Sequence, residues 1–282
     1  MTDAATTRPA VPLAGVIGNP IGQSRSPLMH KHWLQRYGLR GDYVPLQVRE
    51  GDLDAVIRAL PRMGFVGANV TIPHKTAVLR IADHVSDRAA AIGAANTLIF
   101  RDDGSIHADN TDGYGFMANL RAGAPDWDPR GGPAVVLGAG GAARAILVAL
   151  ADAGVPQIFL ANRTRNKADG LRAEFGDHIK VVDWTEVSVA LPQANLLINT
   201  TSLGMTGQPP LHIDLDTLQP HATVTDIVYA PLQTPLLSAA AARGCVTVDG
   251  LGMLLHQGVP GFEHWFGRRP EVDDALRAAV LV

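Results

Sequence analysis

One cysteine, Cys245, is all that the 282-residue sequence contains, so no disulfide can form within the chain. Its setting, Cys245-Val246-Thr247-Val248, reads as a buried core thiol. Nowhere do about 18 apolar residues follow one another, so no segment has the signature of a membrane-spanning helix. Basic residues are not in excess: 24 Lys and Arg against 27 Asp and Glu give a formal net charge of -3, without the positive field that phosphate backbones attract. The expected partner is therefore a small molecule, and neither nucleic acid nor a membrane. The 10 histidines form no H-E-x-x-H or other zinc spacing, so no metal is expected. A G-x-S-x-G elbow is missing too, since Ser202 is flanked as Thr200-x-Ser202-x-Gly204, which argues against a hydrolase. The opening MTDAATTRPAVPLAG lacks a basic start followed by an apolar core and reads as a short disordered tail on a cytoplasmic protein.

What is present is core material. Apolar residues are 46% of the chain and charged residues 18%, enough for two ordinary domains. Short apolar runs alternate with helical patterns from end to end, the signature of α/β layers. Strands are expected at Leu13–Ile17, Tyr43–Val48, Phe65–Val70 and Thr97–Phe100, with helices near Pro27–Tyr37 and Leu53–Leu60 and two more before the fourth strand. This first unit closes at the loop Asp109-Asn110-Thr111-Asp112-Gly113. The stretch Ala124–Pro133, rich in Pro, Gly and Asp, suggests a hinge close by. A second unit then opens with a buried strand, Ala134–Leu137, a tight turn, Gly138–Gly141, and an alanine-rich helix, Ala142–Ala153, that Gly154 can cap. Further strands at Ile158–Ala161, Ile179–Val182, Leu196–Ile198, Val224–Val228 and Val246–Val248 imply a doubly wound nucleotide-binding sheet.

The turn Gly138-Ala139-Gly140-Gly141-Ala142-Ala143 fits G-x-G-x-x-G/A between a strand and a helix. Gly138 permits the turn, Gly140 lets backbone approach a pyrophosphate, and Ala143 lets helix and strand pack closely, while the helix N-terminus directs N–H groups at the anion. About 20 residues on, a site selective for NAD would place an acid on the ribose 2′-hydroxyl. Here the strand ends Ala161-Asn162-Arg163-Thr164, and a guanidinium suits the 2′-phosphate of NADP. Lys167 can add a second positive charge.

A nucleotide fold does not name a reaction. Asn69-Val70-Thr71-Ile72-Pro73-His74-Lys75 joins the end of a strand to a helix expected near Pro73, placing polar side chains at the edge where α/β ligands bind. Asn96 and Asp112 can converge on the same cleft. Singly, each has a plainer reading: Lys75 as a solvated helix residue, Asn96 as a turn former, Asp112 as an N-cap.

Together these motifs resemble the shikimate dehydrogenase family across nearly the whole chain. The resemblance rests on Ser24-x-Ser26, Asn69-Val70-Thr71-x-Pro73-x-Lys75, Gly93-Ala94-x-Asn96-Thr97, Asn110-Thr111-Asp112-Gly113, the Gly138 turn, Asn162-Arg163-Thr164, Asn199-Thr200-Thr201, and Asp249-Gly250-Leu251-Gly252-Met253 with Gln257. It implies an α/β substrate-binding domain, residues 1–112 with 255–282, and a Rossmann NADP-binding domain, residues 113–254, with the active site in the cleft between them. It implies NADP-dependent interconversion of 3-dehydroshikimate and shikimate in aromatic amino-acid biosynthesis. Lys75 and Asp112 would form the catalytic pair, with Asp112 orienting Lys75 and keeping it charged. Ser24, Ser26, Asn69, Thr71, Asn96, Gln257 and, secondarily, Tyr229 would hold the substrate. The cofactor would lie against Gly138, Ala139, Gly140, Gly141, Ala142, Asn162, Arg163, Thr164, Lys167, Thr200, Ser202, Met205, Ile227, Gly250 and Met253.

Beside a paralogue that handles an aminated shikimate, which would share most of these motifs, two alternatives stay open. One is an NAD-preferring quinate/shikimate dehydrogenase, against which stand Arg163, the missing acid and the two serines Ser24 and Ser26. The other is a non-catalytic ligand sensor, which the retention of Lys75 and Asp112 argues against. His74 departs from the aromatic or aliphatic residue often found there in the family. Oligomeric state is not encoded in any amphipathic stripe or heptad, and a homodimer is left open.

Overall fold

The computed structural model describes residues 11–281; the stretch expected to be an N-terminal tail falls largely on residues 1–10, outside the described residues. The chain divides into two compact units, one of residues up to Thr111 together with those from Gly258, the other Asp112–Gln257. The stretch 124–133, expected to lie near a hinge, is inside the second unit. Its Pro, Gly and Asp residues mark a connection, but which connection separates two bodies depends on packing that composition does not report.

In the first unit, β1 (Leu13–Gly18), β2 (Asp42–Gln47), β3 (Phe65–Val70), β4 (His84–Val85), β5 (Thr97–Phe100) and β6 (Ile106–Asp109) form one sheet in the order β2-β1-β3-β5-β6-β4. The β2-β1-β3 half is parallel, and β5 runs antiparallel to both β3 and β6. The helices are α1 (Ser26–Arg36), α2 (Leu53–Ala59) and α3 (Asp87–Ile92). Alternating side chains feed opposite faces. Ile17, Ala68, Val70 and Leu98 pack with Leu53 and Ile57 of α2 on one side, and Ala14, Val16 and Tyr43 pack with Trp265 on the other. Trp265 lies so close over β3 that Gly67 has no room for a Cβ, and its indole N–H donates to the Leu98 carbonyl at 3.0 Å.

Two short strands, β4 and β6, go beyond what the sequence pattern predicts, and no helix begins at Pro73: turns fill residues 72–76 and a single 3-10 turn comes next at Ala77–Arg80. The residue before a proline is biased away from helix, and here that bias carries through the turn. Of the two helices expected between β3 and β5, α3 is the only one that is α-helical.

The second unit holds α4 (Asp112–Gly123), β7 (Ala134–Leu137), α5 (Gly141–Ala153), β8 (Ile158–Ala161), α6 (Arg165–Phe175), β9 (Ile179–Val182), α7 (Val187–Ala190), β10 (Leu196–Asn199), β11 (Thr223–Asp226), α8 (Pro235–Ala242) and β12 (Val246–Val248). All six strands are parallel, in the order β12-β11-β10-β7-β8-β9. Both faces are buried: Ala134, Val136, Ile158 and Leu160 pack against α4, α5 and α6, and Val135, Leu137, Leu197 and Val224 pack against α7 and α8. The central strands β7 and β8, covered on both sides, read as unbroken apolar runs, which makes them legible in the sequence. Gly154, at φ +89°, caps α5 as expected. The strand expected at Val224–Val228 ends at Asp226, so Tyr229 lies in the loop beyond it. The helix α9 (Leu251–Phe266) carries the chain back to the first unit, which α10 (Asp274–Val280) completes.

His30 of α1 sits in the aromatic core of the first unit, fully buried. Its ring stacks on Tyr43 at 4.0 Å and 7° and meets Trp33 edge-on at 5.5 Å. Burial pushes its pKa down to about 3, with Asn69 as the opposing influence, and neither ring nitrogen has a hydrogen-bond partner of good geometry. The folded value lies below the ordinary 6.5, so stability is fully present above pH 6.5 and is lost as pH falls toward about 3. The slope expected for this one proton is about 1.4 kcal/mol per pH unit. His30→Phe should remove that component. Thermal midpoints of both proteins across the acid range are the check, and equal acid sensitivity would count against this account.

Candidate functional site

The first unit gathers polar side chains at the carboxyl ends of its parallel strands. Asn69, the fifth residue of β3, is 4% exposed. Its Oδ1 accepts from the Tyr43 hydroxyl at 2.7 Å, and its Nδ2 donates to the Asn96 carbonyl at 3.1 Å and to Thr97 Oγ1 at 3.3 Å. The Oδ1 of Asn96 accepts in turn from the Thr111 N–H at 2.8 Å, from Thr111 Oγ1 at 3.1 Å and from Thr97 Oγ1 at 3.0 Å. Ser26 opens α1, buried; its N–H donates to Ser24 Oγ at 3.3 Å, and its hydroxyl lies beside that of Tyr43. Burial pushes the Tyr43 phenol well above its ordinary pKa, with Ser26 opposing, so it stays protonated and able to donate.

Ser26, Asn69 and Asn96 are therefore brought together with Tyr43, Thr97 and Thr111. Sequence pattern marks Tyr43 only as a strand residue. The signal that could have found it is general: a buried phenol needs a polar partner. Thr71 and Lys75 lie in the loop after β3, both half-buried. The Thr71 N–H donates to the Ile17 carbonyl at 2.8 Å, and the Lys75 carbonyl accepts from Ala95 N–H at 2.8 Å, which fixes the loop to β1 and to the approach of β5.

In the second unit, Asp112 is the first residue of α4, 5% exposed, and not a loop residue as expected. Gln257 is buried, with its Nε2 donating to the Leu254 carbonyl at 3.0 Å. Gly115 of α4 leaves no space for a Cβ, which would sit 2.7 Å from the Gln257 backbone nitrogen. Met253 packs into the core that α4 and α5 share. Gly250 lies against the Ile227 carbonyl with no room for a side chain, which brings these two expected site residues together. Tyr229 is half-buried, and Ser202 and Met205 are exposed.

The order of the second sheet reverses between β7 and β10, and ligands of such sheets bind at that switch point. Gly138, directly after β7, has φ +110°, and a Cβ there would lie 2.6 Å from Thr200 Oγ1, directly after β10. Only glycine satisfies both demands. Thr200 is tied to the Leu137 carbonyl through its N–H at 2.8 Å and its hydroxyl at 2.7 Å. Gly140 and Gly141 face open space where a side chain would stand, and Gly140 caps α5 without a side-chain acceptor. Bare N–H groups at the start of a 13-residue helix, with a glycine surface before them, make a cradle that fits a diphosphate.

Beside it, Asn162 accepts from the Ala139 N–H at 3.1 Å and donates to the Thr164 carbonyl at 2.8 Å, joining the turns after β7 and β8. Arg163 and Lys167 are exposed. Arg165 is committed to Asp183 at 2.6 Å, whereas Arg163 has no carboxylate partner among the described residues. A network that motif reading misses lies nearby. Asp226 Oδ1 accepts from Asn199 Nδ2 at 2.9 Å and from the Val228 N–H at 3.0 Å, and its Oδ2 accepts from Thr234 Oγ1 at 2.8 Å. Burial raises the pKa of Asp226, opposed by these three bonds.

A cavity of about 460 Å³ lined by Leu211, His212, Leu215, Pro235 and Leu236, among others, contains none of these residues. The strand edges, with their convergent polar groups, mark the site better than this recess does. No cluster of metal-ligating side chains occurs among the described residues.

Residues 16–98 match the model of the shikimate dehydrogenase substrate binding domain, residues 128–206 that of shikimate/quinate 5-dehydrogenase, and residues 250–280 that of the shikimate 5′-dehydrogenase C-terminal domain. A Roseobacter denitrificans protein named shikimate dehydrogenase (NADP(+)) is 65% identical over 271 residues, 96% of this chain and 98% of its own. The structure of shikimate 5-dehydrogenase from Thermus thermophilus in complex with NADP(H) and shikimate superposes with a TM-score of 0.85 at 34% identity, covering 95% of this chain and 98% of its own. Quinate dehydrogenase from Corynebacterium glutamicum in complex with NAD gives 0.89 at 32% identity, with the same coverage. On these matches, which span nearly its whole length, the chain belongs to the shikimate dehydrogenase family.

Proposed function

We propose that this protein catalyses the reversible, NADP-dependent reduction of 3-dehydroshikimate to shikimate. The observation that carries the reading is the buried amide and hydroxyl network of Tyr43, Asn69, Asn96, Thr97 and Thr111, with Lys75 in the loop after β3. Such a surface suits a ring bearing several hydroxyls. The polar groups are held in place before any ligand arrives, so binding a polyol costs little further ordering. Ser24, Ser26, Asn69, Thr71, Asn96, Tyr229 and Gln257 are the proposed substrate contacts.

NADPH supplies the hydride. As the substrate carbon accepts it, negative charge grows on the carbonyl oxygen, and an ammonium hydrogen-bonded to that oxygen stabilises the charge and can deliver the proton. We assign that ammonium to Lys75, with Asp112 as its carboxylate counterpart in the catalytic pair. In the reverse direction the same amine accepts the hydroxyl proton.

The glycine cradle at Gly138, Ala139, Gly140, Gly141 and Ala142 is the proposed diphosphate site. Arg163, supported by Lys167 and by Asn162 and Thr164 around it, is the proposed reader of the 2′-phosphate. Its guanidinium is exposed and not neutralised by a neighbouring acid, unlike Arg165. Thr200, Ser202, Met205, Ile227, Gly250 and Met253 are proposed to border the nicotinamide end. A cytoplasmic location goes with this reading, since the reaction draws on a shared NADP pool and the lone thiol Cys245 forms no disulfide.

The direct test records nicotinamide absorbance with shikimate or quinate, each paired with NADP or NAD. Reduction mainly with shikimate and NADP is expected; a preference for quinate and NAD would instead place the protein with the quinate dehydrogenases. Lys75→Ala should lower kcat by roughly 10²- to 10⁴-fold with a much smaller rise in KM for shikimate, because its main partner is charge that exists in the transition state. Near-normal turnover would remove Lys75 from the mechanism. Arg163→Ala should raise KM for NADP and leave KM for NAD nearly unchanged. Equal losses with both would show that this side chain does not distinguish them.

A further inference from the structure

The loop that carries Lys75 inverts the usual burial of apolar and polar side chains. Ile72 is 74% exposed, whereas His74 is 1% exposed. The imidazole is anchored: its Nε2 lies 2.8 Å from the Val48 carbonyl oxygen. A carbonyl only accepts, so Nε2 carries the proton and donates it. Nδ1 is buried without a hydrogen-bond partner, so the bond to Val48 is the ring's one polar attachment.

That bond has a particular geometry in the sheet. β2 is an edge strand, its pairing with β1 ends at Gln47, and Val48 is 5% exposed just beyond. A carbonyl buried past the end of a ladder needs a donor, and His74 provides it from the loop after β3, across β1. The rest of the loop is pinned from other directions. Thr71 N–H donates to Ile17 O at 2.8 Å, Asn19 N–H to Ile72 O at 3.0 Å, and Ala95 N–H to Lys75 O at 2.8 Å. Lys75 thus has its own carbonyl held from the side of β5 and the preceding side chain held from the side of β2.

We propose that His74 is a positioning residue for Lys75: its Nε2–H bond to Val48 sets the backbone from which the ammonium reaches the reacting oxygen. The proposal rests on the reading of Lys75 as catalytic. An aromatic ring of the same size fills the space but leaves the Val48 carbonyl unmatched and removes the one side-chain tie to the end of β2, on the residue directly before Lys75. The cost then falls on alignment in the transition state and not on substrate affinity.

Three variants test this, measured beside Lys75→Ala. His74→Phe keeps the ring and loses the donor; kcat should fall roughly 10- to 100-fold, while KM for shikimate and for NADP shift by less than about threefold. His74→Gln, whose amide nitrogen falls near the Nε2 position, should recover most of kcat. His74→Asn, whose amide nitrogen falls near Nδ1, should resemble His74→Phe. Wild-type kcat in His74→Phe, or equal losses in His74→Gln and His74→Asn, would overturn the proposal and leave His74 as packing. Should His74→Phe not fold, the Gln and Asn pair decides alone. Near-normal turnover in Lys75→Ala defeats the underlying reading and this proposal with it, whatever the His74 variants show.

Discussion

The side-chain amide of Asn69 ties three strands of the first unit together at one corner. Through one oxygen and one nitrogen it reaches Tyr43 on β2, the Asn96 carbonyl and Thr97 at the start of β5, and through Asn96 the Thr111 backbone beyond β6. β3 and β5 run antiparallel, so the end of one meets the beginning of the other, and polar residues at this corner would be buried without partners unless they bonded to each other. Mutual satisfaction makes the corner rigid. The loop bearing Thr71 and Lys75 starts from that corner, so its geometry is inherited from the network behind it.

The second unit meets a comparable constraint with backbone. Where β7 and β10 diverge, the chain after each strand must pass close to the other, and the φ of Gly138 together with the hydroxyl of Thr200 fits them into one narrow space. The Asp226 network does the same on the other side of β10, with one carboxylate serving Asn199, Thr234 and the Val228 N–H. In both units the rigid part is a strand end, and the exposed part is the loop that leaves it.

The strands of the second sheet and the glycine turn are legible in the sequence because both obey local rules. A strand buried on two faces, such as β7 or β8, is apolar along its length, and a turn with positive φ favours glycine. Asn69, Asn96 and Ser26 are found through motifs, and the structure gives them the burial and bonding that their residue types suit. Tyr43 and Asp226 escape because their importance lies in partners distant in sequence: Tyr43 is 26 residues from Asn69, and Asp226 is 27 from Asn199. Periodicity sees only neighbours. The helix expected at Pro73 and the hinge expected near 124–133 fail for a related reason, since each is inferred from punctuation residues whose consequence depends on what the chain packs against. His74 shows the same limit in miniature, because a histidine beside an exposed isoleucine gives no hint that it is the buried member of the pair.

The chain leaves the first unit at Thr111 and returns to it at Gly258. What it brings back is substantial: Trp265 covers β3, Phe262 stands edge-on to Trp33, and the Glu271 carbonyl accepts from the Trp33 indole at 2.9 Å. The second unit, in contrast, is one unbroken stretch. As the chain emerges from a ribosome, the first unit is therefore made first yet cannot close over its aromatic core until its last 25 residues or so have emerged, while the later-made nucleotide-binding sheet has everything it needs to fold without waiting. The half that was begun earliest is finished last, and in the interval the open side of its sheet is exposed to whatever else in the cell binds apolar surface.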